Sequence, residues 1–101
     1  MGKIYAGQSA LKIRVTTGID INSAPSVKIK WRKPDPIKKY IDGEFDAEIE
    51  DASNGIIYYD IKNSQQIDRA GEWKFWAYVT FPDGRSAPGD PAIVKIFEEG
   101  E

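Results

Sequence analysis

The sequence predicts an all-β domain, an antiparallel β-sandwich of about seven short strands, on three observations. Apolar residues recur with period two rather than with the 3.6-residue period of a helix. Turn-forming clusters interrupt those runs throughout the chain. At 101 residues the chain has room for one hydrophobic core, so residues 1–101 are read as a single domain.

Taken in order, a short opening strand is predicted over residues 3–6. Leu11-Lys12-Ile13-Arg14-Val15-Thr16 and Val27-Lys28-Ile29-Lys30-Trp31-Arg32 alternate strictly, which gives each strand one buried and one wet face. A third strand is expected where Phe45, Ala47 and Ile49 alternate with Glu44, Asp46, Glu48 and Glu50. Residues 55–61, Gly-Ile-Ile-Tyr-Tyr-Asp-Ile, are apolar on both faces and suit a more central strand, with Tyr58 or Tyr59 facing outward. Residues 72–81 form the longest run, with Trp73, Phe75, Ala77, Val79 and Phe81 on one face. Residues 92–97 close the set, with Ile93 or Val94 turned inward. Residues 62–70 offer less than a stable helix and are read as a corner or a short 3₁₀ turn. The predicted core is Leu11, Ile13, Val15, Val27, Ile29, Trp31, Ile57, Trp73, Phe75, Ala77 and Val79.

Turns are expected at Ser23-Ala24-Pro25, Lys33-Pro34-Asp35-Pro36, Ser53-Asn54-Gly55 and Pro88-Gly89-Asp90-Pro91. Asp42-Gly43 and Asp83-Gly84 carry the dipeptide signal of a tight β-hairpin.

Composition narrows the chemistry. Apolar residues make up 41% and charged residues 30%, an ordinary globular balance. The chain has no cysteine and no histidine, which removes disulfides, thiolate metal sites, the commonest general base and the commonest transition-metal ligand. Serines therefore have no histidine to activate them, and Gly84 is followed by neither Lys-Ser nor Lys-Thr, so there is no phosphate loop. Asp46, Glu48 and Glu50 would share one strand face at roughly 7 Å spacing, as paired catalytic carboxylates do, but a flat sandwich face offers no cleft. Asp42, Glu44 and Asp83 lack the ordered ladder of a calcium loop. The expectation is a protein that is not an enzyme, with no cofactor and no metal.

Net charge is −2, from 14 basic and 16 acidic residues, but it is unevenly placed. Residues 1–40 hold nine bases against two acids, and residues 41–101 hold five bases against fourteen acids. Either the molecule has a basic face for an acidic partner, or strands from the two halves lie side by side and the charges interleave. The second reading is preferred. No stretch approaches the apolar length of a membrane-spanning helix, so no membrane partner is expected. The Met1-Gly2 start lacks the hydroxyl residue of a myristoylation signal and the apolar run of a secretion signal, which points to synthesis in the cytoplasm.

If Trp73, Phe75 and Val79 point inward, Lys74, Trp76, Tyr78 and Thr80 point out. If Trp31 points inward, Lys28, Lys30 and Arg32 point out on a neighbouring strand. Trp76 and Tyr78 beside Lys28, Lys30 and Arg32 are thus the candidate interface, because exposed aromatics near arginine are enriched in contact surfaces.

Asp68-Arg69-Ala70-Gly71-Glu72-Trp73 resembles the Asp-x-Ala-Gly-x-Tyr corner of immunoglobulin-like domains, with Trp73 in the tyrosine slot. Phe75 and Ile13 stand where such domains place their cysteines, and Trp31 resembles their buried tryptophan. The resemblance implies an immunoglobulin-like sandwich with apolar residues replacing the disulfide.

More broadly, Ile4-Tyr5-Ala6-Gly7-Gln8, Ile29-Lys30-Trp31-Arg32-Lys33-Pro34-Asp35, Gly55-Ile56-Ile57-Tyr58-Tyr59 and residues 67–79 resemble small bacteriophage structural proteins. The layout is similar to the N-terminal domain of phage baseplate upper proteins, although Pro34-Asp35-Pro36 replaces their Pro-Asp-Gly hairpin. That resemblance implies a virion structural or accessory protein in head, connector, tail or baseplate, made in the bacterial host cytoplasm. Its partners would be other virion proteins, and self-association would suit virion symmetry. A carbohydrate-binding module stacking sugar on Trp76 and Tyr78 is the alternative, and nucleic acid is the less favoured partner.

Overall fold

Alternating sequence becomes strand throughout the chain. A computed structural model describes residues 4–9, 11–22, 26–63 and 65–98, with no helix among them. The strands are β1 (Ile4–Tyr5), β2 (Lys12–Thr16), β3 (Ser26–Asp35), β4 (Lys39–Asp46), β5 (Glu48–Asp51), β6 (Ile56–Asp60), β7 (Gly71–Thr80), β8 (Ser86–Pro88) and β9 (Ala92–Phe97). They form two packed sheets. The larger runs β1-β9-β7-β3-β4, with β8 also paired to β7, and the smaller runs β2-β6-β5. The all-β sandwich expected from periodicity is present, with nine described strands rather than about seven. All pairings are antiparallel except that of β1 with β9.

The central pair of the larger sheet is β3 and β7, joined in unbroken register from Ser26↔Thr80 to Arg32↔Lys74. Because side chains alternate along each strand, Val27 and Ile29 of β3 and Trp73, Phe75, Ala77 and Val79 of β7 line the inner face. All are buried, as are Ile13 of β2, Ile57 of β6 and Ile96 of β9. Eight of the eleven predicted core residues are therefore in the core. Leu11, Val15 and Trp31 are only partly buried and pack against it. Ile21, Phe45, Ile61, Ile67 and Ile96 are additional core residues. Residues 65–67 form a turn that buries Ile67 completely, and no helix occurs among the described residues between β6 and β7.

Rings run through the core in sequence. Phe45 stacks on Tyr59 at 4.5 Å, Trp31 lies 6.1 Å from Phe45, Trp73 lies 5.6 Å from Trp31 and Phe75 lies 5.8 Å from Trp73. Such pairs add directional attraction to the burial of area. Tyr59 is the inward tyrosine, its hydroxyl accepting a hydrogen bond from Gln66 at 2.7 Å, while Tyr58 carries Lys12 over its ring. The indole N–H of Trp73 donates to the Arg69 carbonyl at 3.0 Å, ties strand β7 to the preceding corner and satisfies a polar group on a fully buried side chain.

Three local expectations are corrected. Asp42-Gly43 is not a hairpin: it lies inside β4, where Gly43 is opposite Trp31. A Cβ at Gly43 would overlap the Trp31 ring, so the glycine is there to admit an indole rather than to turn the chain. The turn falls at residues 36–38 instead, and Lys33, Pro34 and Asp35 belong to β3. The predicted third strand is broken at Ala47: β4 ends in the larger sheet and β5 begins in the smaller. Asp83-Gly84 does make the predicted turn, closed by Gly84 N–H to Phe81 C=O at 2.9 Å. Ser23-Ala24-Pro25 and Lys3 lie outside the described residues.

Candidate functional site

The outer face of the larger sheet carries the residues predicted to form an interface. Register sets Lys28 opposite Tyr78, Lys30 opposite Trp76 and Arg32 opposite Lys74. On the far side of β3, the same residues face Asp46, Glu44 and Asp42 of β4. Three stripes therefore lie side by side: aromatic on β7, basic on β3 and acidic on β4.

That arrangement resolves the uneven charge. Lys28 Nζ lies 2.8 Å from both Glu44 and Asp46, and Arg32 reaches Asp42 through two bonds of 2.7 and 3.0 Å. Hydrogen bonding to Asp46 and Glu44 holds the Lys28 proton more tightly than in an ordinary lysine, and Asp42 does the same for Arg32. In return, Arg32 holds the Asp42 carboxyl below its ordinary value. The basic N-terminal half and acidic C-terminal half thus interleave on one surface, as preferred from the sequence. Exposed pairs of this kind contribute little stability individually, but they occupy the charges.

Two of the aromatic–cation contacts are equally internal. Lys30 Nζ sits 3.8 Å above the Tyr78 ring, and the Tyr78 hydroxyl bonds Ser86 at 3.0 Å. Arg32 lies 4.1 Å from the Tyr40 ring. All five predicted interface residues share the outer face, but each is half-buried rather than fully exposed. Lys28, Lys30 and Tyr78 are engaged with one another's neighbours and leave less free surface than their spacing suggested.

Trp76 is different. It lines an open groove of about 250 Å³ with Arg32, Lys74, Pro88, Gly89 and Pro91. The wall exists because the chain between β8 and β9 is pinned beside β7 by the Gly89 N–H donating to Ala77 C=O at 2.7 Å. Lys74 makes no ion pair among the described residues, and Ile93, opposite it on β9, is 64% exposed. Ile93 thus faces outward and Val94 inward. The contribution of Lys74, Ile93 and the two prolines was missed in the sequence because it depends on how β8 and β9 share the same edge of β7. The Pro88-Gly89-Asp90-Pro91 cluster was the available signal.

The acidic candidates are dispersed. Asp46 lies on β4, whereas Glu48 and Glu50 lie on β5 in the other sheet, so the expected single carboxylate face is absent. Asp42 and Glu44 face Arg32 and Lys28, and Asp83 caps its own turn through Arg85. Among the described residues no three His, Cys, Asp or Glu side chains are grouped to hold a metal. No protein-family profile matches the chain, and no curated protein or solved structure matches it either.

Proposed function

We propose that this protein is a non-enzymatic interaction module, a virion structural or accessory component that docks onto other virion proteins through the outer face of its larger sheet. The carrying observation is the groove over Trp76. A large half-buried aromatic lines it together with Pro88, Pro91, Arg32 and Lys74, and the exposed Ile93 is paired with Lys74 on the neighbouring strand. Rigid aromatic anchors with an arginine alongside are the usual energetic centres of protein interfaces. The paired β3 and β7 beneath them hold these side chains without a mobile loop.

The immunoglobulin-like reading is supported by the Trp73 tether to Arg69, which does with an indole N–H what a tyrosine hydroxyl does in the corner it resembles. It is supported too by Trp31 facing Phe75 across the central pair. The phage assignment rests on the sequence resemblance alone. The sugar-binding alternative is disfavoured by geometry, since Lys30 already covers a face of Tyr78 and leaves Trp76 without an aromatic partner for stacking.

Replacing Trp76 with alanine tests the proposal. The variant should stay folded with a modest fall in melting temperature, because Trp76 lies outside the core, yet lose incorporation into assembling virions by about 2 kcal/mol or more of binding. Normal incorporation of a folded Trp76→Ala chain would remove the groove from the interface.

A further inference from the structure

The two sheets differ in width, and the difference leaves one side of the sandwich open. β2 packs over β7, while β6 and β5 pack over β3. In the larger sheet β9 lies next to β7, and β1 lies beyond β9. The position beside β2 and over β9 is therefore filled by no described strand. A cleft of about 280 Å³ enters between the sheets there, lined by Ile13 and Val15 of β2, Phe75 of β7, Ala92 and Val94 of β9 and Ile4 of β1. Val15, Val94 and Ile4 are only half-buried and Ala92 is exposed, so the apolar inner face continues past the last strand that covers it.

The β2 edge that borders this cleft carries unused backbone groups. Ile61 N–H donates to Leu11 C=O at 2.9 Å, and Thr17 N–H donates to Gly55 C=O at 2.7 Å. Hydrogen-bonded pairs recur at every second residue of an antiparallel ladder. Between those two bonds, Ile13 and Val15 turn their N–H and C=O groups toward β6, and Lys12 and Arg14 turn theirs away from it. No described strand pairs with that side, and Gly89 approaches the Thr16 carbonyl to bound it at one end. An open ladder above an apolar cleft suits one class of ligand, an extended chain that bonds the edge and lowers every second side chain between the sheets.

Charge selects further. Lys12 and Arg14 are exposed on the outer side of the edge. Lys12 makes no ion pair among the described residues, and Arg14, although bonded to Glu50, keeps 54% of its side chain exposed. Acidic residues on an added strand would meet these cations. A second copy is opposed by the same pair, because joining β2 to β2 through these groups sets cation against cation, and like charges directly opposite destabilise a ladder.

We propose that β2 accepts an added strand from a partner polypeptide, an extended segment whose aliphatic residues enter the cleft and alternate with acidic residues beside Lys12 and Arg14. The added strand extends the smaller sheet beyond β2 and covers β9. It does not involve the Trp76 groove, which lies on the outer face of the larger sheet, so either proposal can fail without the other.

Amide exchange followed by NMR on the full chain tests this, with the capped peptide acetyl-Glu-Val-Glu-Val-Glu-Val-Glu-amide as the probe. In the free protein the Lys12 and Arg14 amides should exchange about tenfold or more faster than those of Ile13 and Val15. Millimolar peptide should slow them by about tenfold or more and shift the Val15 and Val94 resonances. The same peptide with lysine in place of glutamate should bind about tenfold or more weakly. Arg14→Pro removes an edge N–H that makes no bond to β6, so the variant should fold yet lose the peptide. Lys12→Glu leaves the backbone intact and should weaken the acidic peptide relative to the lysine peptide. Lys12 and Arg14 amides as protected as their neighbours in the free protein would show an edge already covered and overturn the proposal. No binding at millimolar peptide, equal binding of the two peptides, or undiminished binding by folded Arg14→Pro would each overturn it as well. Resonance changes confined to the surroundings of Trp76 would assign the peptide to the outer groove and likewise reject strand addition at β2.

Discussion

Trp31 and Gly43 show how one residue changes the meaning of another far away in sequence. Asp-Gly is a strong turn signal in isolation, but Gly43 faces Trp31 across β3 and β4, and the indole fills the space a side chain would need. Nothing local to residues 42–43 carries that information, so the hairpin expected there is displaced to residues 36–38. Trp31 itself is partly buried, and its indole N–H is buried without a hydrogen-bond partner in the structure, whereas Trp73 satisfies its N–H on Arg69. Gly43→Ala should therefore destabilise the fold by about 1–3 kcal/mol through overpacking, despite alanine's smaller backbone entropy cost. Denaturant unfolding checks this directly, and the same substitution in a Trp31→Leu background should cost much less, because the two residues are coupled by contact. An equal cost in both backgrounds would separate the glycine from the indole.

At the scale of elements, what was legible followed from unbroken alternation. β2, β3, β6, β7 and β9 coincide closely with the periodic runs, and β6 is the central strand of its sheet as its two-faced apolarity implied. The alternation over residues 44–50 continues through Ala47 even though the chain changes sheets there, so period alone gave no sign of the break. Charge along β3 and β4 has a further consequence for stability. Asp35 is held below its ordinary value chiefly by the Lys38 N–H and then by Arg69, Asp42 chiefly by Arg32, and Asp51 by the Asn54 side chain and backbone. A carboxyl whose folded value is depressed stabilises the fold fully above its unfolded value of about 4, and that stabilisation is lost as pH falls through the folded value. Melting temperature should thus hold level from neutral pH to about 5 and fall below about 4. Asp35→Asn should melt lower than wild type at neutral pH, with the gap closing in acid once the native carboxyl is protonated. A gap of the same size at both pH values would show that Asp35 acts through shape alone and not through its charge.

Across the whole molecule, the two halves of the chain carry opposite charge, yet β3 from the first half and β4 from the second are adjacent, so the surface does not reproduce the linear segregation. The sequence established the imbalance and left its consequence to topology. In the structure, Lys28 and Arg32 are paired across to β4, Arg14 to Glu50 and Lys33 to Asp68 at 2.9 Å, the last with its lysine side chain only 12% exposed. Polyanion binding depends on several cations free to displace condensed counterions from successive phosphates. Here each main base on β3 has an acidic or aromatic partner, and a phosphate approaching Lys28 or Arg32 would also meet Glu44, Asp46 or Asp42. The chain should therefore pass through a heparin or phosphocellulose column at about 0.15 M salt, where unpaired surface charges still act over roughly 8 Å. Charge reversal on the acidic stripe gives the converse: Asp42→Lys with Glu44→Lys should expose a continuous basic face and produce retention that salt reverses. If wild type is retained and elutes only well above physiological salt, the bases of β3 are more available than their pairing allows, and nucleic acid regains its place among the partners of the outer face.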